Sequence, residues 1–370
     1  MKLTVLGAGN AGCLTALHFS CYTKHVPDFE VELIYDKNIP PEKVGQATLL
    51  DPPLLLWDAL NLNWYDNPIK ATPKTGILFE NWGKVKDKFF HPLAFPTVSL
   101  HYDPAEMQKT VLESGQFKVT DNHIKDYSEV DSDYIFDCRG KPNLKTKEDW
   151  EFYDELRNPL NACILGRSNE KEPDVYWTRT VATPDGWCFV IPNTTHTTSY
   201  GYLFNSDITS EEEAKKNFND LFGIESDDIV KFQKYVATNP IIDERIILGG
   251  NKLFFLEPLE ATAVQAHLQW ARYVYDWMIS NILGYPTAMS LINRYIHEIE
   301  NFVIWHYQFG SKYDTPFWEY AKTFEIHDYK FHKMVDSISG VDLNASKKLG
   351  GKYGQWKPWN FKYWADGVGA

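Results

Sequence analysis

Residues Leu3 to Leu6 form a short apolar run of strand type. After Gly7-Ala8-Gly9-Asn10-Ala11-Gly12, the apolar positions Leu14, Ala16, Leu17 and Phe19 recur at helical spacing. The pattern predicts strand, tight glycine turn, helix. A second apolar strand, Val31 to Tyr35 with Asp36 at its end, lies about 20 residues beyond the glycines, the interval at which a βαβ nucleotide unit brings a strand end to a ribose. A third, Tyr134 to Cys138, runs into Arg139-Gly140. Thr75 to Trp82 and Val98 to Tyr102 also read as strands, and Asp103 caps a helix with Pro104 at its first position. Trp187 to Pro192 and Thr198 to Phe204 alternate as two antiparallel strands joined by Asn193-Thr194-Thr195-His196. Beyond Pro258 the periodicity turns helical, over Thr262 to Ile282 and Met289 to Phe309. The stretch from Gly350, rich in Trp, Tyr and Phe, reads as a docked aromatic segment.

Composition narrows the classes. At 370 residues the chain can bury a large core, and no repeat or linker divides it, so its domains are expected to interleave. A net charge of −13 argues against a nucleic-acid partner. No run approaches the ~18 apolar residues of a membrane span, so a cytoplasmic protein without a membrane partner is expected. Cys13, Cys21, Cys138, Cys163 and Cys188 have no metal-ligand or disulfide spacing and are expected to be reduced, with no metal site. An aromatic fraction of 15% suits a flat ligand and equally suits core filling.

The glycines have distinct tasks. Gly7 permits the turn, Gly9 lets the backbone approach a pyrophosphate, and Gly12 lets helix and strand pack, while the helix N-terminus supplies amide donors. Either Tyr35 or Asp36 occupies the ribose position, with a solvated Asp in a turn as the alternative for Asp36.

Several short motifs in one order resemble the flavin-dependent halogenases of the tryptophan-halogenase type. They are Gly7 to Gly12, Val31 to Thr48, His101-Tyr102-Asp103, Tyr134 to Gly140, Thr178-Arg179, Gly186-Trp187, Ile191-Pro192, Gly201-Tyr202, Phe255 to Thr262 and Asp314 to Trp318. The resemblance implies an α/β fold: a Rossmann-like FAD-binding domain with an antiparallel sheet and a mainly helical C-terminal substrate region. The expected boundaries are 1–150 with 240–285 for FAD, 151–239 for the sheet, and 286–370 for the helical region.

The resemblance further implies that reduced FAD, supplied by a separate flavin reductase, and oxygen oxidise chloride, bromide or iodide to a hypohalous acid. That acid halogenates a small, electron-rich aromatic substrate, directed by a Lys and a Glu. Carried over, the FAD contacts are Gly7, Ala8, Gly9, Asn10, Ala11, Gly12, Asp36, Gly45, Ala47, Thr48, Ile124, Asp137, Gly140, Pro258 and Leu259. Glu260 takes the place of the catalytic Glu, Thr262 and Ala263 that of the halide-binding amides, and Trp82, Phe90, His91, Trp187, Phe189 and Pro192 face substrate. A homo-oligomer is left open.

The chain also departs from the pattern. The lysine position three residues before Asn81-Trp82 is assigned to Leu78, which can neither form a chloramine nor donate a proton. Lys74, four residues back along an extended strand, would stand about 13 Å away. Lys84 and Lys86 are the other stand-ins, with solvated surface lysines as the plainer reading. Phe189 replaces a Trp, Ala261 a Ser, Ala263 and Lys43 a Gly, and Gln46 a Glu. These departures motivate two alternatives to halogenation: a flavin monooxygenase that hydroxylates directly, and a catalytically silent flavin-binding relative.

Overall fold

The computed structural model describes residues 1–42, 44–63, 66–93, 99–169, 175–192 and 197–369. Lys43, Val98 and the turn at 193–196 lie outside the described residues. A six-stranded sheet runs in the order Ile241–Ile242, Ile246–Leu248, Tyr134–Asp137, Lys2–Leu6, Glu30–Tyr35, Lys118–Asp121. All its pairings are parallel except the hairpin at 241–248. The first strand sits at the centre, with Leu3 beside both Val31 and Tyr134. A parallel sheet covered on both faces explains why these strands read as continuous apolar runs. The helix Asn10–Tyr22 packs on this sheet and on the helix Thr262–Met278. Its approach needs Gly12, since a Cβ there would stand 1.9 Å from the Gly7 carbonyl oxygen.

The second sheet has seven strands, in the order Ile229–Lys231, Ala162–Ser168, Thr198–Phe204, Gly186–Pro192, Thr178–Thr183, Gly76–Glu80, Lys88–Pro92. Only Thr178–Thr183 and Gly76–Glu80 pair in parallel. Alternation divides its faces. Ile164, Cys188, Val190 and Tyr202 meet Ala214 and Phe218 of the helix Glu211–Phe222, whereas Ile77, Phe79, Trp187 and Phe189 point into the main core.

The strand expected over Thr75 to Trp82 is Gly76–Glu80, and a separate strand, Thr72–Lys74, precedes it. Thr72–Lys74 pairs with Ser99–Tyr102, which also pairs with Gln46–Ala47, in a separate three-stranded sheet. Thr75, whose N–H donates to the Tyr176 carbonyl at 2.7 Å, is the break, and Gly76–Glu80 then enters the seven-stranded sheet. The strands between residues 72 and 102 therefore belong to these two sheets and not to the six-stranded one.

The helical half begins with Thr262–Met278 and continues as Tyr285–Gln308, which starts earlier than expected because Pro286 suits the first turn of a helix. The aromatic C-terminal segment is a helix, Pro358–Val368, docked on the strand Lys88–Pro92 and on the helix Tyr329–Ile338. Among the described residues no helix is long and apolar enough to cross a membrane. The five cysteines are free.

Candidate functional site

A cavity of ≈ 890 Å³ opens between the two large sheets. Gly7, Ala8, Gly9, Asn10 and Ala11 line it where the helix Asn10–Tyr22 presents its N-terminus without a side-chain cap. An uncapped N-terminus offers amide donors and partial positive charge to a phosphate. Gly9 has nothing within 4 Å of where a Cβ would stand, so the cradle is open on that side. Asn10 is fixed, accepting from the Tyr102 hydroxyl at 2.7 Å and donating to Glu42 at 2.8 Å.

Asp36 also lines the cavity, held by the Asn38 N–H at 2.8 Å and by His123 at 2.9 Å. The Asn38 backbone bond and the His123 contact keep its carboxyl below the usual range against the opposing effect of burial. Gly45, Ala47, Ile124, Gly140 and Pro258 line the same space. Gly12, Thr48, Asp137 and Leu259, expected among the cofactor contacts, stand behind the lining instead. Asp137 is fully buried and bound by Arg139 Nε and Nη2, each at 2.9 Å, and by the Tyr127 hydroxyl at 2.8 Å. Burial opposes its charge, but the Arg139 bonds hold its carboxyl below the usual range. Asp137 thus positions Arg139, and it is Arg139 that reaches the cavity.

Lys74 and Glu260 also line the cavity. Lys74 is 0% exposed, and its ammonium donates to the Thr48 carbonyl at 3.2 Å. Burial lowers its pKa to about 8, while the Glu260 charge acts in the other direction. Lys74 and Leu78 lie in different sheets on either side of Thr75, so distance along a straight strand does not describe their separation. Leu78 cannot take its role from where it stands. It lies between Arg179 and Phe90 in the seven-stranded sheet, on the face opposite the cavity-lining Ile77. Lys84 pairs with Asp314 and Lys86 with the Asp366 carbonyl, both at the surface.

Glu260 and Ala261 are both left-handed, with φ of 64° and 55°. Such a conformation costs about 1–2 kcal/mol per non-glycine residue, and here it turns the chain from Leu259 into the helix Thr262–Met278. The turn aims the Glu260 carboxylate between two rings. Oε1 lies 3.3 Å from His91 Nδ1 and 3.3 Å from His306 Nε2. Burial alone would raise its pKa, but the two histidines beside it hold the carboxyl well below the usual range. Ala263 lines the cavity at the start of this helix, with Thr262 buried behind it.

The expected substrate-side residues separate. Trp187 and Phe189 line the cavity and His91 touches Glu260. Trp82 is buried, donating to the Thr180 carbonyl at 3.0 Å among Phe79, Trp318 and Trp364. Phe90 packs on Trp177 at the surface, and Pro192 ends a strand outside the lining. Three further residues matter that the sequence reading did not single out. His306 makes the second histidine contact to Glu260, Asn360 Nδ2 lies 3.1 Å from His91 Nε2, and Glu257 accepts from Trp187 Nε1 at 3.0 Å and from the Tyr307 hydroxyl at 2.6 Å. The available signal for His306 was a lone ionisable residue inside the apolar run Phe302 to Tyr307. Among the described residues no group of three or more His, Cys, Asp or Glu is placed to hold a metal.

The tryptophan halogenase family model matches residues 2–103 and 100–348. The tryptophan 7-halogenase of Lentzea aerocolonigenes is 23% identical over 235 residues, covering 58% of this chain and 43% of that protein. The tryptophan 6-halogenase of Streptomyces albogriseolus is 23% identical over 300 residues, covering 75% of this chain and 55% of that one. The chain spans about half the length of these curated relatives. In three dimensions it is similar to a tryptophan 6-halogenase from Streptomyces toxytricini, with a TM-score of 0.81 at 17% identity over 100% of this chain and 90% of that one. It is similar also to a flavin-dependent halogenase from Brevundimonas, with a TM-score of 0.80 at 17% identity over 100% and 89%.

Proposed function

This chain belongs to the tryptophan halogenase family, and from that premise we propose that it is a flavin-dependent halogenase acting on an electron-rich aromatic small molecule. The observation that carries the reading is one cavity whose lining holds both a glycine cradle and a buried Lys74 that interacts with Glu260. The cradle, the bare helix N-terminus and Arg139 fit the diphosphate of FAD, with Gly45, Ala47, Ile124, Gly140 and Pro258 as the remaining contacts. Bound as FADH2 by delivery from a separate reductase, the flavin supplies, with oxygen, the power to oxidise a halide. The halide would sit against the helix start at Thr262 and Ala263.

The protein's own groups do the rest. Lys74 donates a hydrogen bond to the hypohalous acid or forms a chloramine with it, and a buried ammonium near its titration point suits either role. Glu260 accepts the proton that the aromatic carbon loses on substitution. Phe189 keeps the bulk of the wall between the flavin and the aromatic.

The test is incubation with a flavin reductase, FAD, bromide or iodide, and a panel of phenols and indoles. Halogenated product is expected, falling at least 100-fold in Lys74→Ala and in Glu260→Gln. No product across the panel would sink the proposal, and oxygenated product in halide-free buffer would establish direct hydroxylation instead. Flavin binding with no turnover of any kind would mark a silent relative.

A further inference from the structure

The two rings beside Glu260 are not equivalent, because the bond on the far side of each fixes what it can offer. Asn360 Oδ1 accepts from the Lys357 N–H at 2.9 Å, which orients the amide so that Nδ2 meets His91 Nε2 at 3.1 Å. An amide nitrogen only donates, so His91 Nε2 accepts and the ring's proton sits on Nδ1, facing Glu260 Oε1. His306 is the opposite case. Its Nδ1 lies 2.7 Å from the Phe302 carbonyl, which only accepts, so Nδ1 holds a proton. The Nε2 that faces Glu260 is then bare unless the ring carries a second proton. A bare nitrogen 3.3 Å from a carboxylate oxygen, with both side chains buried, would set lone pair against lone pair.

We propose that His306 is an imidazolium that positions Glu260 through an Nε2–H bond to Oε1, so that this part of the cavity holds one proton more than Lys74 and Glu260 alone would. The surroundings suit a fixed cation. The ring is 0% exposed and lies 4.0 Å from Trp364 and 4.8 Å from Phe302, centroid to centroid, where aromatic faces attract positive charge. The titratable groups facing Glu260 are His91, His306 and Lys74. With His91 neutral, two cations meet one carboxylate, and the surplus charge favours an anion entering beside Lys74. The consequence for turnover rests on the halogenase reading above, but the protonation state does not.

Side-chain 15N NMR on the whole protein, histidine-labelled and free of flavin, substrate and halide, tests the charge. His306→Gln assigns the resonance, with circular dichroism confirming that each variant folds. The expected result near neutral pH is protons on both nitrogens of His306 in the wild type and a neutral ring in Glu260→Gln, whose amide donates to Nε2. A neutral ring in the wild type, or a charged ring that persists in Glu260→Gln, overturns the proposal. In turnover, the acid limb of kcat is expected to move to higher pH in His306→Phe, with a smaller move in His306→Gln, which keeps a donor but no charge. An acid limb unmoved in both variants overturns the positioning role. Failure of halogenation itself would leave the NMR result standing, so the two readings fail separately.

Discussion

Lys74 shows what a single buried ammonium costs a fold and why it is kept. Its folded pKa of about 8 lies below the ordinary 10.5, so between these values the unfolded chain binds more protons than the folded one. Stability therefore rises with pH from about 8 to 10.5, and below pH 8 the full penalty is present. Lys74→Met is expected to stabilise the protein at pH 7 by about 1–3 kcal/mol and to flatten that rise, while turnover is lost. Denaturant titration at pH 7 and pH 10 measures both, and a destabilised variant would contradict the account. The same residue marks a limit of reading from sequence. The glycines at 7, 9 and 12 were legible because each answers a local backbone demand. The place of Lys74 was not legible, because Thr75 carries the chain from one sheet into another.

Among the elements, the strand Gly186–Pro192 and the helix Tyr285–Gln308 are joined through Glu257, which takes bonds from Trp187 of one and Tyr307 of the other. Burial raises its pKa from 4.5 to about 7, against those bonds. Here the folded chain binds the extra proton, so the stability it adds is complete below pH 4.5 and is lost as pH rises through about 7. Glu257→Gln keeps an acceptor for Trp187 and Tyr307 and removes the charge. It is expected to flatten this decline and to gain about 1–3 kcal/mol at pH 8, read by thermal unfolding across pH 4.5 to 8. A decline as steep as the wild type's would assign the slope to another group. The strand itself was visible in the sequence through its alternation, and so were the helices through their period. The tie between them was not, since Glu257 and Tyr307 meet only when two segments fifty residues apart are packed.

At the scale of the molecule, the two sheets fix the cavity, but the helix Pro358–Val368 completes its reactive part. That helix reaches the strand Lys88–Pro92 because Gly367 has no side chain, and a Cβ there would stand 2.2 Å from the Phe89 ring. Gly367→Ala is expected to lift the helix, break the Asn360 bond to His91 and cut kcat, with flavin affinity unchanged. Flavin titration beside turnover checks this, and parallel loss of both would show a general loss of fold. The α/β class and the nucleotide half were readable from the glycine motif and its strands. The C-terminal segment disclosed only that it was aromatic and docked, because its target surface is assembled from distant strands.

That helix also sets an order in time. On the ribosome the nucleotide sheet has all its strands once Leu248 has emerged, and Glu260 follows shortly after. Asn360 comes a hundred residues later than Glu260, roughly 5–20 s at ordinary rates of synthesis. A growing chain can thus form its cofactor fold before His306 and Asn360 exist, and the capacity to bind precedes the capacity to react.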